Sequence, residues 1–414
     1  MSSQQRFSTA LRGYVREKIE RLGQADLLIG IPAYLCDQSI LHVIKTIRKG
    51  LDTYYHDAKA LIMISDGGST DDTREVAGSY DPKSFNIEKI ITIYRGLPGK
   101  GSALRAIFEV ANFLKPKALA VFDSDLISIS PLWIRNLLDP VLQGYDFVAP
   151  DYRRYKHDAT ITNSIAYNLT RSLYGCRIRQ PIGGDFGVSL NLARHYLNQE
   201  DIWETDVARF GVDIWMTTTA IVGDFKLCQA PLGVKIHGEK DPAADLGPMY
   251  RQVVGTIFQL MELHADYWKD VRGSRDIPSI GEYPPEEPAP FTINQEDLFD
   301  YFKLGFANFS GVWDQVIDEQ DMELIRKLVA GGPRELLMPI DAWVRIVYRY
   351  AGAFHSTTRQ RMKVLNTMIP LYYARVASLV NELAEKSGDE AEKVFQEQAL
   401  AFEELKDYLI GIWK

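Results

Sequence analysis

The sequence is poor in cysteine and in long apolar runs, and it has no excess of positive charge. Its 414 residues include three cysteines, Cys36, Cys176 and Cys228, and this odd, widely spaced set suits neither a disulfide framework nor a zinc cluster. No stretch approaches the roughly 20 apolar residues of a membrane-spanning helix. The polar N-terminal stretch lacks the apolar core of a signal peptide. We therefore expect a cytoplasmic protein with reduced thiols and no transmembrane segment.

Acidic residues outnumber basic ones. The chain has 47 Lys and Arg against 55 Asp and Glu, a formal net charge of −8. Because such a surface repels phosphate backbones, nucleic acid is not an expected partner. With 46% hydrophobic and 25% charged residues the composition is that of a globular protein, and its length favours two or more domains.

Short apolar runs alternate with helical patterns in the first part of the chain. The sequence predicts strands over residues 27–31, 60–64, 88–94 and 118–122, with helices over 39–49 and 102–114. This order favours an α/β fold in which a mainly parallel sheet is covered by helices. Ligands of such sheets bind at the carboxyl ends of the strands.

The later part of the chain is helical in pattern and is preceded by a proline-rich stretch. Helices are expected over residues 296–306, 319–329, 341–354, 359–382 and 390–413. The expected domains are an N-terminal helix over 1–24, a catalytic domain over 25–272, a linker or surface strap over 273–295, and a helical C-terminal domain over 296–414.

Two carboxylates one residue apart, Asp123 and Asp125, follow the fourth predicted strand. Hard divalent cations such as Mg²⁺ or Mn²⁺ prefer oxygen ligands and accept water or phosphate oxygens in their remaining positions. A solvated turn would explain many such pairs. The strand before this pair and the motifs around it favour a metal site.

Two further loops follow predicted strands. Residues 65–73 suit an ordinary strand-to-helix turn, and they also suit a nucleobase-recognition loop in which Asp66 accepts from a base N–H. Residues 98–101 lack the spacing of a Walker A motif. Backbone N–H groups and Lys100 at a helix start would still suit a diphosphate, although a plain glycine-rich turn is the alternative.

In combination these motifs resemble the GT-A glycosyltransferases with family 2-like signatures. The resemblance rests first on IPAY (31–34), DGGSTDDT (66–73) and DSD (123–125). It narrows to retaining enzymes that make glucosyl-3-phosphoglycerate or mannosylglycerate through PGKG (98–101), QPIGGD (180–185), FGVD (210–213) and LGVKIH (232–237). The fold implied is the GT-A nucleotide-diphospho-sugar transferase fold.

The resemblance implies a metal-dependent retaining transfer from a nucleotide-diphosphate sugar, of the UDP-glucose or GDP-mannose type, to a small hydroxyl acceptor. It places the cation on Asp123, Asp125 and His237, and it makes Asp185 and Asp213 the catalytic residues that orient sugar and acceptor. The expected nucleotide-sugar-binding residues are Pro32, Ala33, Tyr34, Asp66, Gly99, Lys100, Gly101, Ser124, Gln180, Gly183 and Gly184. The expected acceptor-binding residues are Arg153, Arg154 and Thr162, although surface charge would also explain the two arginines.

The sequence departs from the pattern of these enzymes at three places. Residues 35–37 read Leu-Cys-Asp where the pattern has Asn-Glu-Glu, Asp185 replaces a glutamate, and Thr160 stands where the phosphoglycerate enzymes have an arginine. The last departure favours an acceptor carboxylate, as in glycerate, or another hydroxyl compound over an acceptor phosphate.

Two other classes of function stay open on the sequence. A sugar nucleotidyltransferase would share the sheet and the metal-binding acids, but it would carry a glycine-rich loop after the first strand, where this chain has residues 32–35. A non-catalytic nucleotide-sugar-binding protein would share the loops with a decayed site. Homo-oligomer formation is compatible with either reading.

Overall fold

The computed structural model describes residues 8–80, 86–237, 242–284, 286–290, 292–357 and 359–413. The chain divides into two compact units. The sheet unit comprises Met1–Arg153, Arg179–Lys240 and Ile277–Glu287. The helical unit comprises Arg154–Ile178, Asp241–Asp276 and Pro288–Lys414.

Nine strands and sixteen α-helices occur among the described residues. The strands are β1 (Leu27–Ala33), β2 (Ala60–Asp66), β3 (Ile87–Ile93), β4 (Ala118–Val121), β5 (Phe147–Arg153), β6 (Cys176–Arg177), β7 (Phe186–Val188), β8 (Leu227–Val234) and β9 (Arg275–Asp276). The helices are α1 (Gly13–Leu22), α2 (Ile40–Tyr54), α3 (Thr73–Ser79), α4 (Lys100–Leu114), α5 (Pro131–Leu142), α6 (Tyr167–Tyr174), α7 (Leu190–Leu197), α8 (Val212–Val222), α9 (Pro242–Leu263), α10 (Ala265–Asp270), α11 (Gln295–Val316), α12 (Glu319–Ala330), α13 (Ile340–Ser356), α14 (Arg361–Leu383), α15 (Gly388–Glu404) and α16 (Lys406–Ile412).

Seven of these strands form one sheet in the sheet unit, in the order β3-β2-β1-β4-β7-β5-β8. All neighbouring pairs are parallel except those of β7, which runs antiparallel to β4 and β5. Every residue of β1, β2 and β4 is buried, because helices cover both faces of the sheet. The mainly parallel sheet expected from the sequence is confirmed.

The segment over residues 277–284, here the edge segment, lies along β8 in the sheet unit. The Gln229 N–H donates to the Pro278 carbonyl over 2.8 Å, and the Ile280 N–H donates to the Gln229 carbonyl over 2.8 Å. Since β8 is the last strand in the sheet order, the edge segment covers an edge of the sheet. The proline-rich stretch is therefore partly a strap on the sheet unit.

The helical unit is held together by apolar packing and by buried polar groups. Trp343 and Tyr372 are fully buried. The equally buried Arg375 donates to the Gln398 side-chain oxygen over 2.7 Å and to the Met338 carbonyl over 2.8 Å. Among the described helices, none combines the length and apolar character of a bilayer-spanning segment.

The two units do not follow the domain boundaries expected from the sequence. Residues 154–178 join the helical unit because the buried face of α6 packs on α15, where Arg171 pairs with Glu403 and the Tyr167 hydroxyl donates to Gln396 over 2.9 Å. Residues 1–7 of the expected N-terminal helix lie outside the described residues, and the rest of the expected helix is shorter than predicted, since α1 is Gly13–Leu22.

Several helical predictions differ in extent from the structure, among them the helix predicted over 39–49, which is Ile40–Tyr54. The helix expected to end at residue 306 continues to Val316. The single helix expected over 390–413 is two helices, because the backbone leaves the helical conformation at Leu405 (φ −88°, ψ 8°). The Lys100 helix begins two residues earlier than expected.

Candidate active site

Five charged side chains meet in the sheet unit, and we refer to them as the ion cluster. They come from the ends of different elements: Lys100 begins α4, Asp123 follows β4, Asp185 precedes β7, Asp213 lies in the first turn of α8, and Lys235 follows β8. Asp123 and Lys235 follow the buried parallel strands β4 and β8, so the ion cluster lies at the carboxyl ends of parallel strands, where ligands of such sheets bind.

Lys100 bridges two aspartates of the ion cluster. Its Nζ lies 2.8 Å from Asp123 Oδ1 and 3.1 Å from Asp213 Oδ2. Its third donor is directed at the Gly184 carbonyl, 3.3 Å away. An ammonium group has three N–H donors, so Lys100 is saturated by protein acceptors. The predicted contact to a diphosphate would require Lys100 to give up one of these bonds.

Lys235 is the functional candidate that the sequence analysis missed. Its Nζ lies 2.8 Å from each of three acceptors, Asp123 Oδ2, Asp185 Oδ2 and the Gly183 carbonyl. The centroid of the Tyr152 ring is 5.1 Å from the same ammonium group. The available signal was the position of a lysine directly after a buried strand and two residues before a candidate metal ligand.

The two glycines before Asp185 make room for the ion cluster. A Cβ on Gly184, whose φ is +93°, would lie 2.2 Å from Asp123 Oδ2 and 3.0 Å from Lys235 Nζ. A Cβ on Gly183 would lie 2.2 Å from Pro150 Cγ. Gly183 and Gly184 therefore shape the site by close approach and by their carbonyl oxygens.

Burial and ion pairing act in opposite directions on the pKa values of the ion cluster. Burial would raise the pKa of Asp123, but the ammonium groups of Lys100 and Lys235 outweigh it and hold that pKa well below its usual range. Burial raises the pKa of Asp185 and Asp213 despite their lysine partners. Burial would lower the pKa of both lysines, but the facing carboxylates outweigh it and raise it.

Asp185, one of the two predicted catalytic residues, has both carboxylate oxygens engaged by protein groups. It is completely buried. Its Oδ1 accepts from the Asp123 N–H over 2.8 Å, and its Oδ2 accepts from Lys235 and from the Tyr152 hydroxyl. With both oxygens engaged, Asp185 can act on a reaction only through Asp123 and Lys235.

Asp213 keeps one carboxylate oxygen without a partner among the described residues. Its Oδ2 pairs with Lys100, whereas its buried Oδ1 accepts no hydrogen bond. A buried carboxylate oxygen without a donor is costly, so such an oxygen is suited to a ligand hydroxyl. Of the two predicted catalytic residues, Asp213 is the one with a free oxygen.

The predicted diphosphate loop, residues 98–101, packs closely against residues 207–209. The Gly99 N–H donates to the Tyr94 hydroxyl over 2.8 Å, and the Gly101 N–H donates to the Arg209 carbonyl over 3.2 Å. A Cβ on Gly101 would lie only 1.8 Å from the Val207 carbonyl oxygen. These glycines allow close approach of residues 207–209, and their two N–H groups are already used.

Asp66 organises its own loop, and the structure does not support its predicted contact to a nucleobase. Its carboxylate is completely buried and accepts from the Gly68 N–H, the Ser69 N–H and the Ser69 hydroxyl over 2.6–3.0 Å. Tyr34, which is 62% exposed at the end of β1, is the accessible aromatic group beside this loop, because a Cβ on Gly67 would lie 3.0 Å from its ring.

The other predicted nucleotide-sugar-binding residues are buried around the same strand ends. Pro32 and Ala33 end β1, and the Ala33 carbonyl accepts from the Gly67 N–H over 2.8 Å. The Ser124 carbonyl accepts from the Ser39 hydroxyl over 2.8 Å. Gln180 is buried at the start of the turn that contains the two glycines. Their contacts to a ligand stay predictions.

Of the three predicted metal ligands, Asp123 is held by two lysines, whereas Asp125 and His237 lie on segments that pair with each other through the backbone. Both oxygens of Asp123 are occupied by lysines. His237 is paired through the backbone with Leu126, next to Asp125, and the Ile127 N–H donates to the Ile236 carbonyl over 2.8 Å. A carboxylate and an imidazole suit Mg²⁺ or Mn²⁺ when a ligand supplies further oxygens. Among the described residues no three His, Cys, Asp or Glu side chains form a ready-made metal site.

The three predicted acceptor residues are divided between the two units. Arg153 follows Tyr152 on β5 and therefore points to the opposite face of the sheet, where it pairs with Glu287 over 2.6 Å. Arg154 and Thr162 belong to the helical unit. There Arg154 pairs with Asp158 over 2.8 Å and Thr162 is buried. Their role in acceptor binding stays a prediction.

Residues 28–186 match the model of a known family, glycosyl transferase family 2. The match covers less than half of the chain, and over these residues the chain is similar to that family. The match confirms the resemblance to family 2-like glycosyltransferases, and the mainly parallel sheet agrees with the fold class expected with it. The matched part contains Lys100, Asp123 and Asp185, whereas Asp213 and Lys235 follow it in the sequence.

Curated relatives of the chain carry the name glucosyl-3-phosphoglycerate synthase. The protein from Mycobacterium tuberculosis is 28% identical over 247 residues, which are 55% of this chain and 71% of the relative. The protein from Mycolicibacterium smegmatis is 28% identical over 244 residues, 55% of this chain and 75% of the relative.

Solved structures of the same name are also similar. The Mycobacterium tuberculosis synthase, described as a complex with Mn²⁺, UDP-glucose and phosphoglyceric acid, is 25% identical with a TM-score of 0.45. The similarity covers 61% of this chain and 86% of that one.

Proposed function

We propose that the chain transfers a hexose from a nucleotide-diphosphate sugar, of the UDP-glucose or GDP-mannose type, to a small anionic acceptor related to glycerate. The similarity to family 2 and the names of the curated relatives support a sugar transfer of this kind. The observation that carries the proposal is the partnerless Asp213 Oδ1, buried beside Lys100 at the carboxyl ends of the strands.

Asp213 would accept a hydrogen bond from a hydroxyl group of the sugar or of the acceptor. Its Oδ2 is fixed by Lys100, so Oδ1 has a defined direction and would accept the hydroxyl hydrogen without further reorganisation. Lys100 in turn is fixed by Asp123 and Gly184. Asp213 thus orients a substrate, and Lys100 orients Asp213.

The proposed transfer requires a divalent cation. Asp125 and His237 would hold it, and diphosphate oxygens of the donor would fill remaining positions. When bound, the cation would neutralise negative charge on the leaving diphosphate.

We further propose that transfer retains the configuration of the sugar. An inverting reaction needs a carboxylate base that is free to take the acceptor proton. Asp123 and Asp185 have both oxygens engaged, and Asp213 has one oxygen held by Lys100. Asp213 Oδ1 is thus the one oxygen of these three carboxylates that could act as such a base. Retention is supported by the similarity of residues 180–185 and 210–213 to retaining enzymes, in which the departing diphosphate takes the proton on the same face.

The test is an incubation with UDP-glucose or GDP-mannose, Mn²⁺, and either glycerate or 3-phosphoglycerate. We expect nucleoside diphosphate release coupled to product, with an α-anomeric proton in the NMR spectrum of the first product formed. Preference for glycerate is expected from Thr160. A β-anomeric signal would overturn retention, and a strong preference for the phosphorylated acceptor would overturn the acceptor assignment.

Matched variants connect the activity to the site. Asp213→Asn should lower transfer by about 100-fold or more, because the neutral amide no longer accepts through a carboxylate oxygen fixed by Lys100. Asp224→Asn, at an exposed position just beyond the other end of α8, should leave transfer unchanged. Pyrophosphate release from UTP and glucose 1-phosphate, without any transfer, would instead identify a nucleotidyltransferase.

A further inference from the structure

Lys235 is a buried charged group to which the proposed function assigns no role. Its side chain is 6% exposed, and its three donors are each matched by an acceptor at 2.8 Å. No N–H remains for a substrate. A lysine so enclosed contributes to the site through the groups that it holds.

Lys235 holds two carboxylates that would otherwise repel each other. Asp123 and Asp185 both direct an Oδ2 atom at its ammonium group. Asp185 is also tied to Asp123 by the Asp123 N–H bond, and to Tyr152 by the tyrosine hydroxyl. Removal of the ammonium group would leave two buried carboxylate oxygens facing the space that it occupied.

The ammonium group of Lys235 lies where a metal cation bound between the carboxylates of Asp123 and Asp185 would lie. Asp123 Oδ2, Asp185 Oδ2 and the Gly183 carbonyl are oxygen donors of the kind that hard divalent ions prefer. The lysine occupies this place permanently because it is covalently attached to β8. A metal ion is thereby directed to other ligands nearby.

We propose that Lys235 is a positioning residue that clamps Asp123 against Asp185 and excludes a divalent cation from these two carboxylates. The clamp fixes the first residue of the turn from Asp123 to Asp125. Its link to turnover rests on the proposed function, whereas its effect on cation binding does not.

In the first test, Mn²⁺ is titrated into the nucleotide-free protein, and electron paramagnetic resonance measures how much of it binds. Lys235→Met removes the charge at similar volume and should tighten Mn²⁺ binding by at least about 10-fold, because a charge is lost and two carboxylate oxygens are released. Lys226→Met is the matched control, since Lys226 lies exposed before the other end of β8 and stacks on Tyr145. It should bind Mn²⁺ as the unchanged protein does.

The second test separates positioning from a merely structural role. In folded Lys235→Met protein we expect kcat to fall by about 100-fold while KM for the donor changes by less than about threefold, since a misplaced group costs rate more than ground-state binding. If the single variant does not fold, Lys235→Met combined with Asp185→Asn removes both charges together and should still bind Mn²⁺ more tightly than the unchanged protein.

Unchanged Mn²⁺ affinity in the folded single or double variant would overturn the proposal. A kcat that falls only in proportion to the fraction of unfolded protein measured by circular dichroism, with KM unchanged, would also overturn it. Should the unchanged protein transfer no sugar at all, the proposed function would fail, but the Mn²⁺ titration would still decide whether Lys235 excludes the cation.

Discussion

Gly184→Ala is expected to displace the carboxylate of Asp123 and so to disable the site. The new Cβ would lie 2.2 Å from Asp123 Oδ2, whereas ordinary contact begins at 3.4 Å, so the carboxylate must withdraw by about 1 Å. A shift of that size lengthens its 2.8 Å contacts to Lys100 and Lys235. The φ of +93° adds about 1–2 kcal/mol of strain for a residue with a side chain.

Together these effects should lower the free energy of unfolding by about 3–5 kcal/mol, the range for disruption of a buried ion pair. The rate of transfer should fall by about 100-fold, as for other displacements of about 1 Å in an active site. Thermal unfolding followed by circular dichroism gives the first quantity, and nucleoside diphosphate release gives the second.

Gly144→Ala isolates the contribution of the backbone. Gly144 has a similar φ of +89° in the same unit, but no heavy atom lies within 4 Å of its hypothetical Cβ. It should cost only the strain of about 1–2 kcal/mol and leave transfer unchanged. If the two variants unfold at the same temperature and transfer sugar at the same rate, close approach of Gly184 to Asp123 has no role in the site.

Three further predictions concern the cation, Lys100 and the thiols. Asp125→Ala should abolish transfer with an unchanged circular dichroism spectrum, and full activity of this variant in EDTA would contradict the metal assignment. Lys100→Met should lower the free energy of urea unfolding by about 3–5 kcal/mol more than Lys226→Met, because it leaves the buried Asp213 without its cationic partner and Asp123 with Lys235 alone; equal values would make Lys100 dispensable for the ion cluster. Burial raises the pKa of Cys228 to about 12, so at pH 8 the Cys228 thiol is ionised in only about one molecule in ten thousand. The native protein should therefore react slowly with a thiol reagent and the urea-unfolded protein rapidly at all three cysteines, whereas rapid labelling of native Cys228 would refute its burial.

The sequence was sufficient to predict the alternation of strands and helices and the position of the motifs. Continuous apolar runs such as β1 and β2 are typical of a sheet covered on both faces, and that is how they are buried. Because ligand sites of parallel sheets lie at strand ends, Asp123 and Lys100 could be assigned to one site before their 2.8 Å contact was known.

Other features of the site depend on contacts between segments far apart in the sequence. The N–H groups of Gly99 and Gly101 were expected to be free, but residues 94 and 209 accept from them. The face to which Arg153 points depends on the alternation along β5 from Tyr152. Lys235 could not be predicted as a site residue, because a lysine after a strand is common in sequences. Its role becomes visible only from its contacts to Asp123, Asp185 and the Gly183 carbonyl.

The edge segment has a consequence for solubility. An uncovered edge strand offers unpaired N–H and carbonyl groups to another chain and is a starting point for aggregation. Here residues 278 and 280 pair with Gln229 of β8, and the Pro284 ring lies where a Cβ on Gly233 would be only 2.9 Å away. Proline has no N–H to donate to an incoming strand. The proline-rich stretch thus protects the last strand of the sheet from intermolecular pairing, and its loss should lead to aggregation before it affects the chemistry of the site.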